Sequence, residues 1–310
     1  MALAFAVGCL AAAQSRINGQ LAIEVQDGLL AAVISFGTGL VLVLVIALSR
    51  GGSRAALLSG LPHQLRTGGL RWWHLVGGLL GASFVAGQGL VVPLVGVALF
   101  TVLSVAGNTS SSIATDRLGL GPGGRRPVTT GRVLAALGAV LGVAVAVSGR
   151  MGAGDIVLWA IVLAVLAGAG TGVQPALNGQ IAARTGEPLV ATVVNFVTGT
   201  AALLVALSVE HALGHGWRSP PAPWDQPLLW IGGAIGVVFI LTASVVVRPL
   251  GLLLLSLLST AGQLTGALVL DVLVPTPGTV ITWQLLVGVL ITGVAVASAA
   301  WRRSPTSIAR

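Results

Sequence analysis

A chain of 310 residues that is 55% hydrophobic and only 8% charged cannot be an ordinary water-soluble domain, in which roughly a quarter of residues carry charge. Cytosolic enzymes with a single core, nucleic-acid binders and disordered chains are thereby excluded, leaving a polytopic membrane protein. All sixteen bases are arginine against eight acids, a formal charge of +8, and Cys9 is the only cysteine, so no intramolecular disulfide can form.

Apolar runs bounded by Arg, Pro, Gly and small polar clusters predict helices over residues 2–22, 28–49, 73–92, 95–115, 132–149, 156–182, 188–209, 228–247, 250–270 and 283–301. The runs are apolar on all faces and lack a two-residue alternation, which excludes barrel strands and makes the fold class all-α, with about ten transmembrane helices. Ala11 to Ala13 resemble a secretory cleavage site, but no base precedes the apolar run and the stretch that follows recurs later in the chain. The first run is therefore read as a mature helix.

Arginine placement sets the expected orientation, because short basic loops stay cytoplasmic. With the N-terminus inside, Arg50, Arg54, Arg66, Arg71, Arg117, Arg125, Arg126, Arg132, Arg184, Arg248, Arg302, Arg303 and Arg310 fall inside. Only Arg16, Arg150 and Arg218 fall outside. Both termini are thus expected in the cytoplasm of a multi-pass cell-membrane protein, and the basic balance reads as topology, with no nucleic-acid partner.

The chain also repeats itself. An offset of 160 carries Gln14, Asn18, Gly19 and Gln20 onto Gln174, Asn178, Gly179 and Gln180, and Phe36, Thr38 and Gly39 onto Phe196, Thr198 and Gly199. An offset of 155 then carries Gly77, Gly78, Gly81, Phe84, Gly96, Gly107 and Asp116 onto Gly232, Gly233, Gly236, Phe239, Gly251, Gly262 and Asp271. The division falls near 150: residues 1–150 form one five-helix unit and residues 151–310 the second. Five is odd, so the second unit enters the membrane from the opposite side, the inverted arrangement common in secondary transporters.

The pattern Gln-x-x-x-Asn-Gly, a short loop, a helix bearing Phe-x-Thr-Gly, then Ala-Gly-Asn/Gln and an Asp closing a fourth helix resembles the YdcZ-like branch of the drug/metabolite transporter superfamily. Nearly the whole chain takes part, as a fused tandem pair of what are mostly single five-helix units. The first repeat departs at Arg16, a charge inside the Gln–Asn turn, and at Ser35, where the second has Asn195. The resemblance implies a ten-helix exporter with a central cavity between halves, and leaves its substrate open.

Polar groups inside spans are functional candidates, since the bilayer penalises them unless they pair or line a cavity. Gln14 and Asn18, and likewise Gln174 and Asn178, are spaced i,i+4 and share a helix face. Inversion is expected to bring the two faces together as a ring of neutral groups around a substrate; interhelical hydrogen bonding is the alternative. Asn195 belongs with the second set, and Asn108, Gln263 and Gln88 form a second tier. Pro175 leaves the Thr171 carbonyl without its helical donor, and Gly168, Gly170 and Gly172 weaken the same turn, so a broken helix is expected there with Pro175 and Gly172 as hinge. A packing kink is the alternative.

Asp116 and Asp271, the symmetric acids, are expected to lie exposed at the interface. Arg16 is expected to snorkel outward and pair with Glu24 or Asp27, or else to bind an anionic group. Trp73, Trp159, Trp230 and Trp283 read as interfacial anchors, and Gly77xxxGly81, Gly138xxxGly142 and Gly232xxxGly236 as helix packing. His211 and His215 have metal-ligand spacing but sit in a Gly- and Pro-rich loop without a second carboxylate at motif spacing, so no metal is expected. No glycine-rich phosphate loop with Lys exists, which excludes ATP as an internal driver, and no cofactor is implied. The reading is a non-enzymatic secondary transporter of a small metabolite or drug-like solute, with the lipid bilayer as its medium and room for a homodimer. A lipid-substrate enzyme and a scramblase or scaffold are the alternatives.

Overall fold

The computed structural model describes residues 2–125, 127–149 and 158–301. The boundary between the expected units at 150–151 lies outside these residues, as do Arg126, Arg150, Arg302, Arg303 and Arg310 and the side chains of Arg132 and Arg248. Every regular element among them is helical. In chain order they are α1 Ala2–Val25, α2 Gly28–Ser49, short α3 Gly51–Ala55 and α4 Leu61–Arg66, α5 Gly77–Val95, α6 Val97–Leu118, α7 Thr130–Ser148, α8 Leu158–Thr185, α9 Pro188–Ala212, α10 Gly232–Leu273 and α11 Trp283–Trp301.

Among the described residues, five segments are long and apolar enough to cross a membrane: Gly28–Ser49, Trp72–Val95, Val97–Leu118, Leu158–Thr185 and Pro188–Ala212. Val133–Ser148, Leu258–Leu273 and Trp283–Ser298 are apolar but shorter. α1 has the length, but Gln14, Arg16, Asn18, Gln20 and Glu24 dilute its C-terminal half. Outward faces carry exposed large apolar residues, among them Val41 and Val45 on α2, Val205 and Val209 on α9, and Leu290 and Val294 on α11. Such faces suit lipid rather than water.

Local sequence explains where helices stop. Gly96 takes φ 82°, ψ 167°, a conformation that glycine alone adopts readily, and separates α5 from α6. Asp27 caps α2 by accepting from the Leu30 amide at 2.7 Å. The turn before it holds Gln26 at φ 57°, and the repeat-equivalent turn before α9 holds Gly186 at φ 71°. The same left-handed step is thus made once by a residue that tolerates it and once by one that does not.

Two helices were expected over 228–247 and 250–270, whereas a single helical element, α10, spans Gly232–Leu273, 42 residues in all. Two distant parts of it nevertheless meet neighbouring turns of α1. Gln14 bonds the Gly232 carbonyl while Gly8 packs on Ser259 and Gln263; these α1 residues are only ~9 Å apart along their axis, whereas a straight helix would separate Gly232 from Gln263 by ~46 Å.

Repeat-equivalent glycines make equivalent contacts. A methyl on Gly107 would meet the Val165 carbonyl, and one on Gly262 the Phe5 carbonyl; Gly168 meets Ser104 as Gly8 meets Ser259. The first helix of each repeat therefore packs on the fourth helix of the other, and the two units interlock. Small residues at these crossings let backbones touch, the usual means of packing in lipid.

The described arginines separate into two poles. One gathers the end of α8 with Arg184, the turn at Arg71, and the loop carrying Arg125, tied together by Gln180 donating to Leu120 at 3.2 Å and by Leu61, Leu65, Leu70, Ile181 and Val190 packing as one cluster. The opposite pole holds Arg16 and Arg218, the latter's amide donating to the Val25 carbonyl at 2.8 Å.

Candidate functional site

Two polar clusters occupy repeat-equivalent positions. In the first, α1 presents Gln14, Ser15 and Asn18 to α5 and to the start of α10. Ser15 Oγ donates to the Ala11 carbonyl at 3.1 Å, Gln88 Nε2 donates to Ser15 Oγ at 2.8 Å, and Asn18 Nδ2 donates to Gln88 Oε1 at 2.6 Å. The chain has one direction: its far end is a backbone carbonyl, which can only accept, so each donor before it is fixed in turn. Asn18 is left presenting Oδ1, buried and without a partner, toward Gly232. Gln14 Nε2 donates to the Gly232 carbonyl at 2.9 Å.

In the second cluster, Asn195 on α9 is the hub. Its Oδ1 accepts from Gln174 Nε2 at 2.7 Å and from Asn178 Nδ2 at 3.1 Å. Asn178 Oδ1 is again buried without a partner and faces Gly77, just as Asn18 Oδ1 faces Gly232. A methyl on Gly77 would lie 2.6 Å from that oxygen, and one on Gly232 2.5 Å from its counterpart. Two of the three glycine pairs read as packing motifs, Gly77xxxGly81 and Gly232xxxGly236, are thus the floors of the amide clusters, while Gly138 and Gly142 pack on α11.

The expected single ring of amides is not what forms. Among the described residues no hydrogen bond joins Gln14 or Asn18 to Gln174 or Asn178; the two sets meet through Phe36 and Phe196, whose ring centroids are 5.1 Å apart. Phe196 approaches Gly39 and, near Gln14, Gly236, while Phe36 approaches Gly199. Symmetry brings phenyl to phenyl at the axis because both helices carry Phe-x-Thr-Gly.

The remaining candidates divide. Gln88, placed in the second tier for want of an equivalent, is fully buried at the heart of the first cluster. Asn108 Nδ2 donates to Thr171 Oγ1 at 2.9 Å, tying α6 to α8. Gln263 packs beside Gly8 and joins neither cluster. The break expected at Pro175 is not present: α8 is continuous from Leu158 to Thr185, with Pro175 on its exposed side. Gly172 lies where a methyl would meet the Asn108 carbonyl at 2.6 Å and Ser112 N at 3.1 Å, a close approach to α6.

Two charged residues depart from expectation. Asp271 is buried, 1% exposed, rather than at the interface. Its Oδ1 accepts from the Val97 amide at 2.9 Å and its Oδ2 from the Ala98 amide at 2.7 Å. A residue of the second repeat thus caps the first repeat's fourth helix, whose unpaired amides and dipole favour an anion there. Arg16 does not reach Glu24 or Asp27. Its Nε donates to the Val274 carbonyl at 2.8 Å, at the end of α10, and a terminal guanidinium nitrogen to Gln20 Oε1 at 3.0 Å, with Gln20 in turn donating to Glu24 at 3.1 Å. A cation at a helix C-terminus is the favourable sign.

Sequence reasoning missed Ser15 and the roles of Phe36, Phe196 and Asp271. The repeat itself was the signal for the phenylalanines; nothing in local sequence marks Ser15. His211, in the last turn of α9, and His215, just beyond it, are exposed, the His211 ring lying 4.8 Å from Trp217; no group of three potential metal ligands forms among the described residues. Two concavities, one of about 420 Å³ lined by Ile34, Gly37, Thr38, Val41 and Trp230 and one on α9 around Leu204 and Ser208, are lined by none of the amide side chains.

A family model described as "Putative inner membrane exporter, YdcZ" matches residues 1–145 and 159–298. No curated protein matches the chain.

Proposed function

The chain belongs to the YdcZ family of inner membrane exporters, matched along two successive segments, and on that premise we propose that it is a secondary transporter that moves a small solute by alternating access between two inverted five-helix repeats, residues 1–150 and 151–310. One observation carries the reading. Among the described residues, side-chain amides gather twice, at repeat-equivalent places, each against the glycine floor of a helix from the other repeat, and the two gatherings meet at Phe36 and Phe196.

Two such clusters at repeat-equivalent places suit a pseudo-symmetric exchange, in which the conformation taken by one repeat becomes available to the other. We take the arginine-rich pole around Arg71, Arg125 and Arg184 as cytoplasmic, because short basic loops stay inside, and this supports the reading with both termini inside. The direction is outward, as for the family. Gln14, Asn18, Gln88, Gln174, Asn178 and Asn195 are the solute-facing groups; Asn108 and Gly172 hold α6 against α8 as the helices shift.

Flux of a metabolite and drug panel in reconstituted vesicles tests the reading, with Gln174→Ala and Asn178→Ala as comparisons. Solute-dependent efflux by the wild type that falls at least tenfold in either variant is expected. Wild-type flux equal to that of empty vesicles would overturn it.

A further inference from the structure

The two clusters are not equally complete. In the second, Asn195 supplies an acceptor that takes both Gln174 and Asn178. At the equivalent place the first repeat has Ser35, too short to receive either amide; Gln14 turns to the Gly232 carbonyl and Asn18 to Gln88 instead. Ser35 Oγ and Asn18 Oδ1 are both left buried with no partner. They converge on one spot, since a methyl on Gly232 would lie 2.5 Å from Asn18 Oδ1 and 3.0 Å from Ser35 Oγ. The first turn of α10 covers that spot, with Gly233 packed on Ser35, Thr38 and Gly39.

Resting on the transporter reading above, we propose that this acceptor pair is the solute's docking point, and that it takes an uncharged N–H donor head of the primary carboxamide class. The head bonds Asn18 Oδ1 and Ser35 Oγ once the first turn of α10 lifts. Three features select that chemistry. The directed chain from Ala11 through Ser15 and Gln88 fixes Asn18 with its oxygen outward, so the group must donate. A serine hydroxyl can accept a second N–H or donate to an amide oxygen, so a carboxamide satisfies both atoms. No carboxylate belongs to the cluster, so an ammonium would be buried without a counter-charge, and a carboxylate solute would face an acceptor. In the second repeat Asn178 Oδ1 is unpaired as well, but Asn195 stands where the first repeat has Ser35 and its oxygen is already taken by Gln174 and Asn178, so no such acceptor pair forms there.

Thermal unfolding of the full chain in detergent tests this, with propionamide as probe and propionate and propylammonium as charged controls of similar size. Propionamide is expected to raise the wild-type Tm by about 2–4 °C when it exceeds its Kd about tenfold, and the controls to leave it unchanged. Ser35→Asn, which copies the second repeat, is expected to unfold at higher temperature without probe and to lose the propionamide shift. No shift in the wild type, an equal shift from either control, or a shift retained in Ser35→Asn would overturn the proposal. Vesicle flux distinguishes the two readings: transport unaffected by Ser35→Asn removes this docking point and leaves the transporter standing, whereas a propionamide shift lost in Ser35→Asn without any flux removes transport and leaves the docking point.

Discussion

Phe36 and Phe196 stand 5.1 Å apart at their ring centroids, inclined at 47°, and each lies against the glycine three residues after the other, Phe36 on Gly199 and Phe196 on Gly39. The Phe-x-Thr-Gly spacing accounts for this. A phenylalanine and a glycine one turn apart on each helix form a knob and a hole, and an axis between the helices seats each knob in the other's hole. Hydrophobic area, aromatic contact and symmetry coincide at the place where the two amide clusters meet.

Gly39→Ala and Gly199→Ala should each destabilise the protein by about 1–3 kcal/mol, the usual cost of overpacking. Pairing Gly39→Ala with Phe196→Leu, or Gly199→Ala with Phe36→Leu, should recover part of that loss in detergent thermal unfolding. Single variants as stable as the wild type would show that the crossing is looser than described.

Gln26 and Gly186 make the same left-handed step before α2 and α9. Gln26 is exposed, so replacing it removes no packing. Gln26→Gly should therefore stabilise by about 0.5–1 kcal/mol through relief of strain, less the added entropy of the unfolded chain. Gly186→Gln should lose a similar amount. Tm measured on both variants decides.

Asp271 holds two amides of α6 from across the repeat boundary. Asp271→Asn keeps the shape but turns an NH2 toward one of the two donors, and should cost about 1–3 kcal/mol. Arg16→Gln, which removes a partly exposed contact with the end of α10, should cost less than about 1 kcal/mol. A reversed order would shift the weight of this pole from the cap to the guanidinium.

In α8, Pro175→Ala should change stability by less than about 1 kcal/mol, because the helix is already continuous and the proline faces outward. Gly172→Ala should cost more, about 1–3 kcal/mol, because its methyl would enter the Asn108 and Ser112 backbone. Unfolding temperatures for the two variants, three residues apart on one helix, give a direct comparison.

The all-helical character, the repeat and the i,i+4 amide pairs were legible, because composition and spacing survive without a third dimension, whereas the division expected between 247 and 250 is not seen in α10. The partner of Asn18 was not: Gln88 has Ala243 at the equivalent position, so symmetry pointed away from it. Asp271 was misread because a carboxylate at the end of an apolar run normally meets water, and nothing local shows that the start of α6 waits there. The break expected at Pro175 rested on its lost hydrogen bond; neighbouring helices hold the turn together regardless. Glycines 77 and 232 were legible as close approaches, while what approaches them was settled by interlocking of the repeats.

Accessibility of the two amide clusters from each side of the membrane tests alternating access most directly. In a Cys9→Ala background, Gln14→Cys and Gln174→Cys occupy equivalent half-buried positions. A membrane-impermeant thiol reagent should label each of them from either face of sealed vesicles, as the two repeats exchange conformations. Labelling of both from one face only, whatever solute is present, would contradict the account.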